Sequence, residues 1–95
     1  MKQAVLRQTL QGDWTPFVFE DTSRFFYVKN FSNSDAFVSF ESGVDEDKSF
    51  LIPSGSAEEV AITWVNNDRD KYWTNTIYVK GTGVVEVQAL EAVVD

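Results

Sequence analysis

Two acidic loops hold the side chains that could bind a cation. One contains Asp45, Glu46 and Asp47, and the other runs from Asn66 to Asp70. Carboxylate and amide oxygens are the ligands that calcium takes, but an EF-hand also needs a glycine at the sixth position of a twelve-residue loop. The first loop has no such glycine, and the second is a candidate of the same general kind. The spacing therefore favours solvated charged loops and predicts no metal site.

Catalysis by the common nucleophiles and bases is excluded by composition. The 95 residues include no cysteine and no histidine, so neither a Ser-His-Asp nor a Cys-His arrangement can form. A glycosidase needs only two carboxylates, but it also needs a cleft, and a small sandwich fills its interior with side chains. We therefore expect a protein that is not an enzyme and uses no cofactor.

Aromatic side chains beside loops are a second group of candidate functional residues. Trp14, Tyr72 and Trp73 lie next to loops or strand ends. Exposed rings on a sandwich face stack on sugars in carbohydrate-binding modules, and Trp and Tyr are also enriched at protein interfaces. Core packing is the alternative, and it is favoured for Trp64, which shares a strand face with Val60. The first three rings are candidate contacts for a glycan or a partner protein.

The charge balance argues against two classes of partner. Eight Lys and Arg residues against fifteen Asp and Glu residues give a net charge of −7. A nucleic-acid interface needs clustered cations that face the phosphates, whereas the basic residues here are scattered. An anionic membrane surface is disfavoured for the same reason, and no apolar run reaches the roughly 18 residues of a membrane span. Neither nucleic acid nor a membrane is expected as a partner.

Strand patterns run through the whole chain. Short segments with alternating apolar and polar residues are separated by clusters of Gly, Pro, Asn, Asp and Ser. About eight such strands predict one all-β domain over residues 1–95, an antiparallel β-sandwich with jelly-roll or immunoglobulin-like Greek-key connections. Pro16 cannot donate to a ladder, so its strand should lie at an edge or begin after it. Gly81-Thr82-Gly83 predicts a tight hairpin turn rather than a phosphate loop, because a strand follows it.

Two predicted strands are apolar on both faces. Residues 25–31 and 36–41 flank a polar turn, and we expect them to form a hairpin. Phe25, Tyr27 and Phe37 then share the face that points away from the core. Three clustered rings approach the apolar area that a monomer tolerates on its surface. The pattern predicts an interface that forms a dimer or trimer, unless the N-terminal segment of residues 1–14 folds across these rings.

Five stretches of strand and turn residues stand out together: VKNF at 28–31, VSFE at 38–41, IPSGSAEEV at 52–60, IYVKGTG at 77–83 and VEVQ at 85–88. In these stretches the sequence resembles small structural proteins of tailed phages and prophages of Gram-positive bacteria, which serve as head-decoration or other accessory virion proteins. The resemblance covers about residues 25 to 90 and consists of strand and turn patterns, not catalytic signatures.

This resemblance implies a β-sandwich that assembles with itself or docks on larger virion proteins, without cofactor or catalytic residues. The expected location is the virion, after assembly in the bacterial cytoplasm. The absence of cysteine fits a protein made in a reducing compartment, and the charge of −7 fits a protein that does not adhere to packaged DNA. The alternative function is that of a carbohydrate-binding module that uses its exposed aromatic residues.

Overall fold

A computed structural model describes residues 4–61 and 74–90 of the chain. These residues form eight strands and one short 3-10 turn at Glu46–Lys48, and the predicted all-β fold is confirmed. Within the same ranges, no helix combines the length and the hydropathy needed to cross a membrane. The strands are β1 (Ala4–Gln11), β2 (Thr15–Ser23), β3 (Phe25–Asn30), β4 (Ala36–Ser39), β5 (Phe50–Ile52), β6 (Ala57–Ala61), β7 (Thr74–Lys80) and β8 (Thr82–Ala89).

The strands form two four-stranded antiparallel sheets that pack against each other. The first sheet has the order β1-β8-β3-β6, and the second has the order β2-β7-β4-β5. Four strand pairs are nested in the sequence: β1 with β8, β2 with β7, β3 with β6, and β4 with β5. The chain therefore resembles one long hairpin rolled over itself, which is a jelly-roll arrangement. Of the two connection patterns predicted for the sandwich, the nested pairing selects the jelly roll.

The core lies between the sheets and is built from alternate residues of each strand. Phe17 and Phe19 of β2 are buried, while Pro16 and Val18 point outward and are exposed. The Phe19 ring packs on Phe26 of β3 with a centroid separation of 5.7 Å. β2 is an edge strand, as its proline predicts. The other buried apolar residues are Leu10, Val28, Ala36, Val38, Ile52, Val60, Ile77, Val79, Val85, Val87 and Ala89.

The expected hairpin of residues 25–31 and 36–41 is wrong, because β3 lies in the first sheet and β4 in the second. The side chain of Asn30, which is 1% exposed, organises the turn between them. Its Nδ2 donates to the carbonyl oxygens of Ser34 (2.9 Å) and Ile52 (3.1 Å). Its Oδ1 accepts from the amide and the hydroxyl of Ser32, at 3.0 and 2.7 Å. Since Ile52 belongs to the second sheet, these bonds direct the chain across the core.

The hairpin turn predicted at Gly81-Thr82-Gly83 is also wrong. β7 and β8 are separated by Gly81 alone, yet they lie in different sheets. Gly83 has a φ of +87°, and a β-carbon built on it would lie 2.6 Å from the Cβ of Ser32. A side chain is therefore excluded at Gly83 both by backbone conformation and by the close approach of the turn that follows β3.

Candidate functional site

A row of apolar side chains crosses the outer side of the second sheet. Phe37 of β4 lies opposite Leu51 of β5 on one side and opposite Lys80 of β7 on the other. The Nζ of Lys80 lies 6.0 Å from the centroid of the Trp14 ring, just before β2. Because the inward positions of these strands fill the core, their neighbours in sequence must point outward. The row therefore extends across the sheet from Trp14 to Leu51.

Two further positions extend this row along the sheet. Pro16 lies opposite Tyr78, and Val18 lies opposite Thr76. Val18 is 57% exposed and Leu51 is 49% exposed, whereas the aromatic rings between them are half-buried. Large apolar side chains that are grouped on one wetted face mark a site of interaction more often than scattered ones do. We call this surface the apolar face, and its members are Trp14, Pro16, Val18, Phe37, Leu51 and Tyr78.

The charged neighbour of the apolar face is neutralised within the chain. The Nζ of Lys80 lies 3.1 Å from the Oε2 of Glu46, and both side chains are partly exposed. Glu46 belongs to the acidic loop that also contains Asp45 and Asp47. One carboxylate of this loop is therefore paired with the ammonium group of Lys80 on β7. Within residues 4–61 and 74–90, no three acidic side chains are grouped as a metal site would require.

The outer side of the first sheet has a different chemistry. Arg7 of β1 donates through Nε and Nη2 to the Oε1 of Glu86 on β8, at 3.1 and 2.8 Å. Lys29 of β3 places its Nζ 3.3 Å from the other carboxylate oxygen. The Arg7 hydrogen bonds, followed by those of Lys29, hold the pKa of Glu86 below its ordinary value, although burial acts in the opposite direction. This three-strand ion ladder places charged groups on the outer side of the first sheet, beside the outward rings of β3.

The structure separates the three residues that the sequence predicts as one interface. Phe25 and Tyr27 point outward from β3 in the first sheet, whereas Phe37 points outward from β4 in the second. The two outer sides lie on opposite sides of the sandwich, so one flat partner surface cannot cover all three rings. Phe25 lies under the guanidinium of Arg24, 5.3 Å away, and Tyr27 lies 5.5 Å from the ammonium of Lys29. The prediction that these three rings form one cluster is therefore wrong, and of the three only Phe37 belongs to the apolar face.

Several sequence predictions lie outside the described residues. These are the candidate ligand contacts Tyr72 and Trp73, the predicted core residue Trp64, and the second acidic loop from Asn66 to Asp70. Of the three aromatic residues proposed as contacts, Trp14 is described, and it lies on the apolar face.

Sequence reasoning missed four members of this face: Pro16, Val18, Leu51 and Tyr78. A usable signal was present, because β2, β5 and β7 each carry apolar residues at outward positions. The four contributing segments start near residues 14, 36, 50 and 74, and only the strand order brings them together. Local alternation gives the direction of a side chain but not its neighbour across the sheet.

A scan against protein-family models, a search of curated proteins and a search of solved structures each return no match.

Proposed function

We propose that this protein is a non-enzymatic accessory protein of a tailed-phage particle, which docks on a larger virion protein through the apolar face. The observation that carries the proposal is the row from Trp14 to Leu51 on the outer side of the second sheet. In a monomer, the outer side of an antiparallel sheet is normally polar. A partner protein that covers Val18 and Leu51 removes from water the apolar area that the fold leaves exposed.

The polar groups around the apolar face favour a protein partner over a sugar. The Ser39 hydroxyl donates to the carbonyl oxygen of Glu41 at 2.8 Å. The Thr76 hydroxyl bonds to the Asn75 side chain at 2.9 Å, and Lys80 is paired with a carboxylate. A sugar site needs polar groups that fix the orientation of the ligand, and these three are already engaged. An interface core needs mainly shape and apolar area.

Fold and charge are compatible with the same proposal. Jelly rolls occur in viral capsid proteins, but they also occur in lectins, so the architecture by itself carries no function. Between these two classes, the sequence resemblance favours a virion protein over a lectin. A net charge of −7 disfavours binding to packaged DNA and to anionic lipid. In this proposal the protein is made in the bacterial cytoplasm and acts in the virion, without a cofactor.

The test is incorporation into the particle encoded with this chain. Particles are purified from cells that express the wild-type protein, Val18→Asp or Phe31→Asp, and the amount of this chain per particle is measured by mass spectrometry. Val18 and Phe31 are 57% and 58% exposed, so both substitutions add one negative charge at an equally accessible position. We expect Val18→Asp to lower incorporation at least tenfold and Phe31→Asp to leave it unchanged.

Two results would overturn the proposal, and they are distinguishable. If the wild-type chain is missing from purified particles, the virion role is rejected. If the chain is present but both variants incorporate equally, the role stands and the apolar face is rejected as its docking surface. A parallel glycan array identifies the alternative function, since binding that is lost with Trp14→Ala would assign the face to a sugar.

A further inference from the structure

The two sheets have four edges, and three of them carry features that prevent pairing with another strand. β2 contains Pro16 and a bulge between Val18 and Ser23. β6 exposes two adjacent acidic residues, Glu58 and Glu59, and β5 is only three residues long. Prolines, bulges, charges and short length are the usual devices that keep sheet edges from associating.

β1 is the edge without such devices. Its eight residues pair with β8 in unbroken register, and they include no proline, no glycine and one charge, at Arg7. That charge is already balanced by Glu86. Among residues 4–61 and 74–90, no strand lies on the other side of β1. A long, regular and nearly uncharged edge is a template for strand addition.

The hydrogen bonds between β1 and β8 show which backbone N–H and C=O groups of β1 face the free edge, where a further strand could pair. The amide of Gly12 donates to the carbonyl oxygen of Gly81 at 2.8 Å, and these residues face each other when the β1–β8 register is continued by one position. Because bonded and non-bonded pairs alternate in an antiparallel ladder, the even-numbered residues of β1 bond to β8. The odd-numbered residues direct their N–H and C=O groups to the free edge: Val5, Arg7, Thr9 and Gln11.

We propose that β1 is a dimerisation edge, at which a second copy of this chain adds its own β1 antiparallel, with the two-fold axis at Gln8. Arg7 then faces Thr9 of the second copy, and Val5 faces Gln11. In each copy, the four residues whose N–H and C=O groups face the free edge acquire hydrogen-bonding partners. The two four-stranded sheets become one continuous sheet of eight strands. This inference uses the edge of the first sheet and not the outer side of the second, and it does not depend on the proposed virion role. The two surfaces are adjacent, because the Nε2 of Gln8 donates to the carbonyl oxygen of Pro16 at 3.0 Å.

The side chains of β1 favour this register. Opposed residues in the register about Gln8 are of the same parity, so outward side chains meet outward ones and inward Leu6 meets inward Leu10. An axis at Arg7 instead would place two guanidinium groups directly opposite each other, which destabilises a cross-strand pair. β1 is thus self-complementary. The overall charge of −7 opposes association, but salt at ~0.15 M screens it beyond roughly 8 Å.

The first test compares Thr9→Pro with Thr9→Ala in the full chain by sedimentation velocity between ~1 and ~100 μM. Proline removes the Thr9 N–H, which faces the free edge and takes no part in the β1–β8 ladder. Alanine keeps this N–H and removes only the exposed part of the side chain. We expect the wild type and Thr9→Ala to be dimers at the upper concentrations and Thr9→Pro to dissociate at least tenfold more readily. A urea titration verifies that all three are folded.

A second test does not depend on proline being tolerated. The natural chain has no cysteine, so Gln8→Cys places one thiol per copy at the proposed two-fold axis, whereas Gln11→Cys places it opposite Val5. With a mild oxidant, Gln8→Cys should form a disulfide-linked dimer at least tenfold faster than Gln11→Cys. Equal cross-linking rates, a monomeric wild type at ~100 μM, or a folded Thr9→Pro that stays dimeric would each overturn the proposal. Val18→Asp should leave the dimer unchanged, which separates this edge from the apolar face.

Discussion

Replacing Asn30 by alanine should strongly destabilise the protein, because this side chain ties together the two sheets where the chain crosses between them. Four hydrogen bonds of 3.1 Å or less are lost, to Ser34, Ile52 and Ser32. The bond to the Ile52 carbonyl is buried, and an unsatisfied buried group costs about 1–3 kcal/mol. The other three are partly accessible to water and contribute about 0.5 kcal/mol each, the low end of the usual range. The expected loss is therefore ~2.5–4.5 kcal/mol of the free energy of unfolding.

Such a loss is large for a domain of this size. Native domains are stable by only about 5–15 kcal/mol, and a loss of this size lowers the melting temperature by on the order of 10–30 °C. Equilibrium unfolding in urea, followed by tryptophan fluorescence, measures the effect, and an unchanged slope against urea confirms that the unfolded state is unaltered. Asn30→Asp should be at least as destabilising, because it sets a carboxylate oxygen against the carbonyl oxygen of Ile52.

Asn33→Ala is the matched control, since it makes the same substitution at an exposed position of the same turn. An exposed replacement should stay within about 0.5 kcal/mol of the wild type. If Asn30→Ala and Asn33→Ala unfold at the same urea concentration, the Asn30 bonds do not hold the crossover, and the reasoning from burial and hydrogen bonding is refuted.

Two further predictions concern the ion ladder and the crossover turn. The pKa of Glu86 is lowered from 4.5, chiefly by its hydrogen bonds from Arg7, so its stabilising effect is present above that pH and is lost as pH falls through the lower folded-state value. Thermal melts should therefore show a smaller acid-induced loss in Glu86→Gln than in the wild type, and parallel curves would contradict this. Gly83→Ala and Gly43→Ala both place a β-carbon at positive φ, but only the first meets another atom within 3 Å. Gly83→Ala should therefore lower the free energy of unfolding by about 1–3 kcal/mol more than Gly43→Ala does. Equal unfolding midpoints for the two variants would show that the turn after β3 moves to accommodate the β-carbon without cost.

The direction of the side chains could be predicted from the sequence because it is a local property. Successive residues of a strand point to opposite faces, so Val85 and Val87, which alternate with Glu86 and Gln88, are assigned to the core without knowledge of their partners. In β2 both faces carry apolar residues, so alternation groups Phe17 with Phe19 but does not show which face is buried. The edge position of β2 follows equally locally from Pro16, which has no amide hydrogen to donate. Fold class, and the inward residues of the strands that have one polar face, were therefore determined by short-range geometry.

The strand order was decided only by tertiary structure, and with it the composition of every surface. Glu86 alternates outward like any polar strand residue, yet it is buried because β1 and β3 bring Arg7 and Lys29 to its two sides. Phe25 and Phe37 are close in sequence and lie on opposite sides of the sandwich, because buried hydrogen bonds of Asn30 send the chain to the other sheet. Alternation repeats identically in every strand and carries no information about pairing, so neither the apolar face nor the open edge of β1 could be assembled without the fold.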